Sequence, residues 1–271
     1  MSARYSADQT KRTKASFASL PTYFSSMPSI EKISESEYNT GKFITQNGRK
    51  FPIIFKVSYS GEILEVTIPV PAGYSKTELT SKINLFGRLI ITPKKLYIQL
   101  LYIYSQVLAR YSTRYEKEAL RGMGKMLLCF AINYIKDELK LDIGDKSFKL
   151  SAQGGMMCDN QIGIYPYPME KMLKYYEKYY LDDFNIMFCV DSKNIKALRK
   201  GFCMLENERK LIKYYGALGF KIYHPRKGLL ELTEENVNEN MEINLYNIDN
   251  ITVSTRMEAK VTDILEKCSK K

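Results

Sequence analysis

The amino-acid sequence predicts an α/β fold, a mixed sheet with helices packed on it, and three observations predict it. Two apolar or alternating runs flank a Ser60-Gly61-Glu62 turn; a nearly continuous apolar run, Leu96 to Val107, follows; helix-like and strand-like segments then take turns. A purely helical bundle would leave the β-rich first third without an explanation.

The elements follow in order. Phe51 to Tyr59 and Ile63 to Val70 have the pattern of a hairpin with a tight turn, and Pro69 and Pro71 close its second strand. Leu96 to Val107 (LYIQLLYIYSQV) is the candidate central strand, apolar enough to be covered on both faces. From Met126 to Leu141, the residues Met126, Leu127, Phe130, Tyr134, Ile135 and Leu139 recur at helical spacing, with Lys136, Asp137 and Glu138 on the other side. Phe148 to Ala152 is strand-like and is broken by Gln153-Gly154-Gly155. Residues 156–200 form an insertion: a YPYP segment, a Tyr-rich amphipathic helix from Met169 to Tyr180, and a strand from Phe184 to Val190. Glu206 to Leu218 is a helix ended by Gly219, and Phe220 to Tyr223 and Leu229 to Leu232 are short strands. Residues 236–271 alternate weakly and read as a C-terminal extension with a basic helical tip. Residues 1–40, rich in Ser, Thr and Lys and without a sustained period, read as a disordered or loosely packed basic arm, which leaves 41–235 as the folded domain.

Composition narrows the class of function. The chain has 271 residues, 45% of them hydrophobic, enough for one large domain or two small ones. Its 41 Lys and Arg against 30 Asp and Glu give a net charge of +11, which suits nucleic acid, an acidic membrane surface or a phosphate-rich cofactor, or simply a well-solvated surface. Cys129, Cys158, Cys189, Cys203 and Cys268 are odd in number and show no CxxC spacing, so the sequence suggests neither a disulfide framework nor a zinc ribbon; an intracellular, reducing, cytoplasmic setting is expected. His224 is the only histidine, which excludes a His-rich metal centre, and it precedes Pro225 in a turn. The longest uncharged stretch, Leu96 to Ala109, is too short to span a membrane as a helix.

The candidate site is the segment Arg121, Gly122, Met123, Gly124, Lys125 and Met126, between the central strand and the helix after it. Two glycines there let successive backbone N–H groups approach an anion at a helix N-terminus. Neither a P-loop nor a GxGxxG pattern is present. A competing reading starts the helix near Ser112, where Thr113 and Glu116 have capping-box spacing, and runs it unbroken to Leu141 at about 1 kcal/mol for each internal glycine.

RGMGKMLLCFAINYI resembles the acetyl-CoA motif of the GNAT superfamily of N-acetyltransferases, Q/R-x-x-G-x-G/A, which opens a helix after a splayed central strand. LIKYYGALGFKIY resembles that superfamily's later helix and strand, in which a Tyr precedes a Gly-Phe pair by four residues, the spacing of Tyr215, Gly219 and Phe220. The resemblance implies a mixed, mostly antiparallel central sheet with helices on both faces, and an insertion before the last helix-strand unit. It implies acetyl-CoA as cosubstrate, held at Arg121 to Met126, and an unidentified amine that attacks the thioester directly. Tyr215 would then protonate the leaving thiolate, its alternative role being core packing. Met126 stands where the superfamily has Gly or Ala and is expected to crowd the pyrophosphate. No catalytic base is assigned: Gln99 cannot take a proton, and Glu116 and Glu118 lie in a long connection. The other functional reading is a GNAT-like scaffold without catalysis, acting as a structural or nucleic-acid-binding protein.

Overall fold

The structure is a computed structural model and describes residues 30–46, 48–71, 85–103, 122–153, 192–247 and 250–269. Among these residues eleven strands form one sheet, in the order β1-β2-β3-β4-β5-β6-β7-β11-β8-β9, with β10 also paired to β11.

The first half is an antiparallel meander. β1 (Glu31–Lys32), β2 (Glu37–Gln46), β3 (Arg49–Tyr59), β4 (Leu64–Pro69), β5 (Leu85–Thr92) and β6 (Tyr97–Ile103) pair in sequence. The expected hairpin is β3 and β4, with Val57 opposite Val66 and Gly61 in the turn at φ +90°. Its alternation is the one the sequence displays: Ile53, Phe55 and Val57, then Leu64, Val66 and Ile68, are buried and their neighbours are not. The sheet also takes in β1 and the start of β2, residues the sequence reading gave to a loose arm. Thr40 is fully buried there, and its hydroxyl donates to the Ile53 carbonyl at 2.7 Å. β5 was not anticipated.

The second half is parallel in part. β6 leads through α1 (Met123–Asp137) to β7 (Ser147–Gln153), which is parallel to β6. β7 leads to α2 (Ser192–Ala217), β8 (Lys221–His224) and β9 (Gly228–Leu230). α3 (Glu234–Asn240), β10 (Glu242–Asn247), β11 (Asn250–Lys260) and α4 (Val261–Ser269) complete the described chain. β11 lies between β7 and β8 and is antiparallel to both, so residues 250–260, within what the sequence reading gave to a C-terminal extension, form an interior strand of the sheet. α2 begins at Ser192, well before the Glu206 expected. The expected Tyr-rich helix and the strand at 184–190 lie outside the described residues.

Two crossovers, β6-α1-β7 and β7-α2-β8, progress in the same direction across the sheet. Right-handedness of such connections puts both helices on one face. The packing agrees, since α1 meets β5 and β6 while α2 meets β7 and β11. The buried residues Leu89, Ile91, Ile98, Phe148, Leu150, Met257 and Ala259 join those of both helices in one core. The mixed, mostly antiparallel sheet is thus as the sequence predicts. Helices on both faces are not shown by the described residues.

Cysteine usage departs from expectation. Cys129 on α1 and Cys268 on α4 form a buried disulfide, with Cα atoms 5.9 Å apart and a separation of 139 positions in sequence. Cys203 is disulfide-bonded as well. No helix of the described residues is long and apolar enough to cross a membrane.

Candidate functional site

A bulge creates the site. Ile90 of β5 faces Leu100 and Ile91 faces Ile98, so Gln99 is one residue too many on β6. An extra residue sharpens local twist and turns a strand away from its course. On the other side of β6 the parallel ladder to β7 has only two register pairs, Tyr97 with Lys149 and Ile98 with Leu150, and stops where the bulge begins. β7 nevertheless continues against β11 as far as Gln153 opposite Ser254, and β6 continues against β5 as far as Ile103 opposite Gly87. The two strands therefore part, and each borders the opening with a backbone edge. Such an edge offers N–H and C=O groups to an extended ligand.

α1 begins beside this gap. Gly122 takes the left-handed conformation at φ +74° as its N-cap and supplies no side-chain cap. The helical ladder starts with the Met126 N–H donating to the Gly122 carbonyl at 2.9 Å, so the N–H groups of Met123 and Gly124 have no acceptor within the helix. The loop-then-helix reading holds from Gly122 onward. Arg121 lies outside the described residues. Met126, expected to crowd a ligand, is 6% exposed and belongs to the core, as does Met123. Gly124 is buried and Lys125 partly so.

α2 brings two adjacent tyrosines to this region, and they differ. Tyr215 is 6% exposed, packs edge-on against Phe220 with ring centroids 5.9 Å apart, and caps the helix through its carbonyl, which accepts from the N–H groups of Leu218 and Phe220. Burial, with smaller contributions from Tyr214 and Glu208, pushes its phenol above the usual range. Tyr214 reaches across to α1. A β-carbon on Gly124 would overlap the Tyr214 hydroxyl and would lie 3.5 Å from Ile103, at the end of β6. The Tyr214 residue is 37% exposed, yet burial pushes its pKa up to about 12. Both phenols are neutral at physiological pH.

Sequence reading missed three features of this region: Tyr214, the bulge at Gln99, and Glu208. Glu208 is fully buried on α2, in line with Leu205, Ile212 and Tyr215. A carboxylate inside an apolar helical stripe was the available signal. On β11, Thr255 is also fully buried, and its hydroxyl has no hydrogen-bond partner among the described residues. His224 has a local role, its Nδ1 accepting the N–H groups of Arg226 and Lys227 in the β8–β9 turn. Among the described residues no cluster of His, Cys, Asp or Glu is arranged to hold a metal ion.

No family model, no curated protein and no solved structure matches this chain.

Proposed function

We propose that this protein is an acyl-CoA-dependent N-acyltransferase of GNAT type, transferring an acetyl group to an amine by direct attack. The parting of the parallel strands β6 and β7 at the Gln99 bulge, with the N-terminus of α1 directly after β6, carries this reading. A splayed central strand followed by a glycine-marked helix start is the pairing that the RGMGKM motif implies. The fit of the residues supports it at Gly122, where a side chain would meet nothing within 4 Å, and at Met126, which lies in the core; the space beside Gly124 is taken by the Tyr214 hydroxyl. The N–H groups of Met123 and Gly124 would hold a pyrophosphate, helped by the helix dipole. The open strand edges would align the pantetheine arm and its thioester. Acetyl-CoA supplies the activated acyl group when bound.

The test is thermal unfolding with and without acetyl-CoA. Ligand at about a hundred times its dissociation constant stabilises by roughly 2.7 kcal/mol, a shift of several degrees. The absence of any shift at millimolar acetyl-CoA would refute the reading.

One observation favours the second reading, a scaffold without acyl transfer that binds nucleic acid through its +11 charge. Gly124 has a packing reason to be glycine, the close approach of the Tyr214 hydroxyl, whether or not a phosphate ever binds there. A labelled oligonucleotide retained by the protein in a salt-dependent manner, together with no response to acetyl-CoA, is the result this reading expects.

A further inference from the structure

We infer that the sheet face opposite α1 and α2 is a docking surface for single-stranded RNA, on which Tyr97 and Tyr223 stack bases while Lys149 and Arg256 hold the phosphates beside them. This rests on the nucleic-acid reading above and names the surface that serves it. It does not depend on acyl transfer, because the two helices of the candidate acyl site lie on the other face.

The register places these side chains. Ile98, Leu150, Met257 and Ile222 stand side by side on β6, β7, β11 and β8, and all four are buried on the helix side. Side chains alternate along a strand, so the sequence neighbours of these four point to the opposite face. One step towards the start of β6, Tyr97, Lys149, Glu258 and Lys221 are aligned. One step the other way, the same register sets Arg256 between Ser151 and Tyr223, with Leu229 beyond. Lys260, opposite Ser147, extends the face. Tyr97 is 38% exposed and Tyr223 37%, and Lys149, Arg256 and Lys260 are exposed as well, so the face is open at these positions.

Each ring thus has a cation on the adjoining strand, Lys149 for Tyr97 and Arg256 for Tyr223. The rings themselves are three strand spacings apart, about 14 Å, which gives each of them its own base. An exposed ring on a sheet stacks on an unpaired base, and a cation next to it meets the following phosphate; bases inside a duplex present no free face. Gln99, Ser147 and Ser151 add amide and hydroxyl groups, the chemistry that recognises a ribose 2′-hydroxyl. The core of a protein–protein interface would be more apolar than this. Glu258 is the acid within the row, and it is flanked by Lys149 and Lys221, the latter also paired with Glu231. Lys149, Lys221, Arg256 and Lys260 against Glu258 and Glu231 leave the face positive, in keeping with the +11 of the whole chain.

The test uses a fluorescein-labelled oligouridylate of about twelve nucleotides, titrated with the full chain at several salt concentrations and read by fluorescence anisotropy. Tyr97→Ala and Tyr223→Ala should each weaken binding about tenfold, and Lys149→Gln should lower the salt slope by about 0.7. Tyr59→Ala and Lys136→Gln, which remove an exposed ring and an exposed cation elsewhere, should change neither. Circular dichroism melts separate lost binding from lost fold, and Tyr97→Leu and Tyr223→Leu, apolar without a ring, replace any alanine variant that does not fold. Unchanged binding in the ring variants, or equal losses in the two controls, overturns this surface and leaves the nucleic-acid reading standing. Equal or tighter binding of an oligothymidylate or of a duplex of the same length overturns the assignment to single-stranded RNA. Wild-type protein that does not bind the oligouridylate even at low salt ends both the reading and the inference.

Discussion

Removing the Cys129–Cys268 bridge with the double variant Cys129→Ala, Cys268→Ala should cost a large part of the protein's stability. The bridge ties α1, which opens the candidate site, to the last described helix, and it closes a loop spanning 139 residues. Chain-entropy arithmetic for a loop of that length gives about 5 kcal/mol at room temperature, an upper figure because denatured chains are not fully random. For a protein of this size that is a fall in melting temperature of about 10–20 °C. The double variant is a better perturbation than a reducing agent, because Cys203 is bonded too and a reductant would open both bridges. Both sulfurs are buried, so replacement by Ala leaves only a small space and no unpaired polar group. Urea unfolding followed by circular dichroism reads the difference, and peptide mapping under non-reducing conditions establishes the bridge in the wild-type protein. Stabilities within about 1 kcal/mol of each other would refute the reasoning, as would recovery of both cysteines as free thiols.

Three further outcomes are expected. Gly124→Ala should gain little, because the roughly 1 kcal/mol by which Ala is preferred to Gly in a helix is offset by overlap with the Tyr214 hydroxyl. In a Tyr214→Phe background the same change should be stabilising, and a double-mutant cycle with no coupling would show that the two side chains do not meet. Met257→Ala should destabilise by about 2–5 kcal/mol, since Met257 is buried on β11 between β7 and β8, and a loss under 1 kcal/mol would mean that the strand is not held inside the sheet. Burial raises the phenol pKa of Tyr214 to about 12 and that of Tyr215 in the same direction, so above pH 10 the unfolded chain releases protons that the folded chain keeps. The stability they confer is complete below pH 10 and declines as the pH rises from there towards about 12; Tyr215→Phe should make that decline shallower, and identical urea midpoints for both proteins across that window would rule out the assignment.

Much of the sheet was legible because its buried positions carry large apolar side chains. In β3 and β4 the residues Ile53, Phe55, Val57, Leu64, Val66 and Ile68 declare the period of two without ambiguity. β11 has the same period but hides it. Its buried positions include Thr255 and Ala259, and its outward positions include Arg256 and Glu258, so the contrast in hydropathy is weak. β2 conceals itself differently, since the register shift between Asn39 and Phe43, with Gly41 at φ +69°, breaks the alternation in mid-strand. β5 carries Gly87 where the side chains of Ile68 and Ile103 converge, and a glycine inside a short apolar run looks like a break. The disulfide left no local trace, its partners being 139 residues apart.

The candidate site divides along the same line. The start of α1 was readable because glycine in a left-handed cap is a local property of the chain. The identity of the phenol beside it was not. Tyr214 and Tyr215 are adjacent on one helix and differ only in the direction they face, which is decided by how α2 lies against α1 and the sheet. A spacing rule anchored on Gly219 and Phe220 selects Tyr215, and that residue does pack on Phe220.

The place of β11 bears on how the protein is made. A strand that lies between β7 and β8 but comes after both in sequence has to be translated before either can complete its pairing. Until residue 260 has cleared the ribosome, the nascent chain carries two unfinished edges, and chaperones or a partner strand could seize them. The ladder between Ser147 and Lys260 also joins residues more than a hundred positions apart, which raises contact order and slows the closing step. Completion of this sheet is therefore gated by β11, the strand that joins β7 to β8.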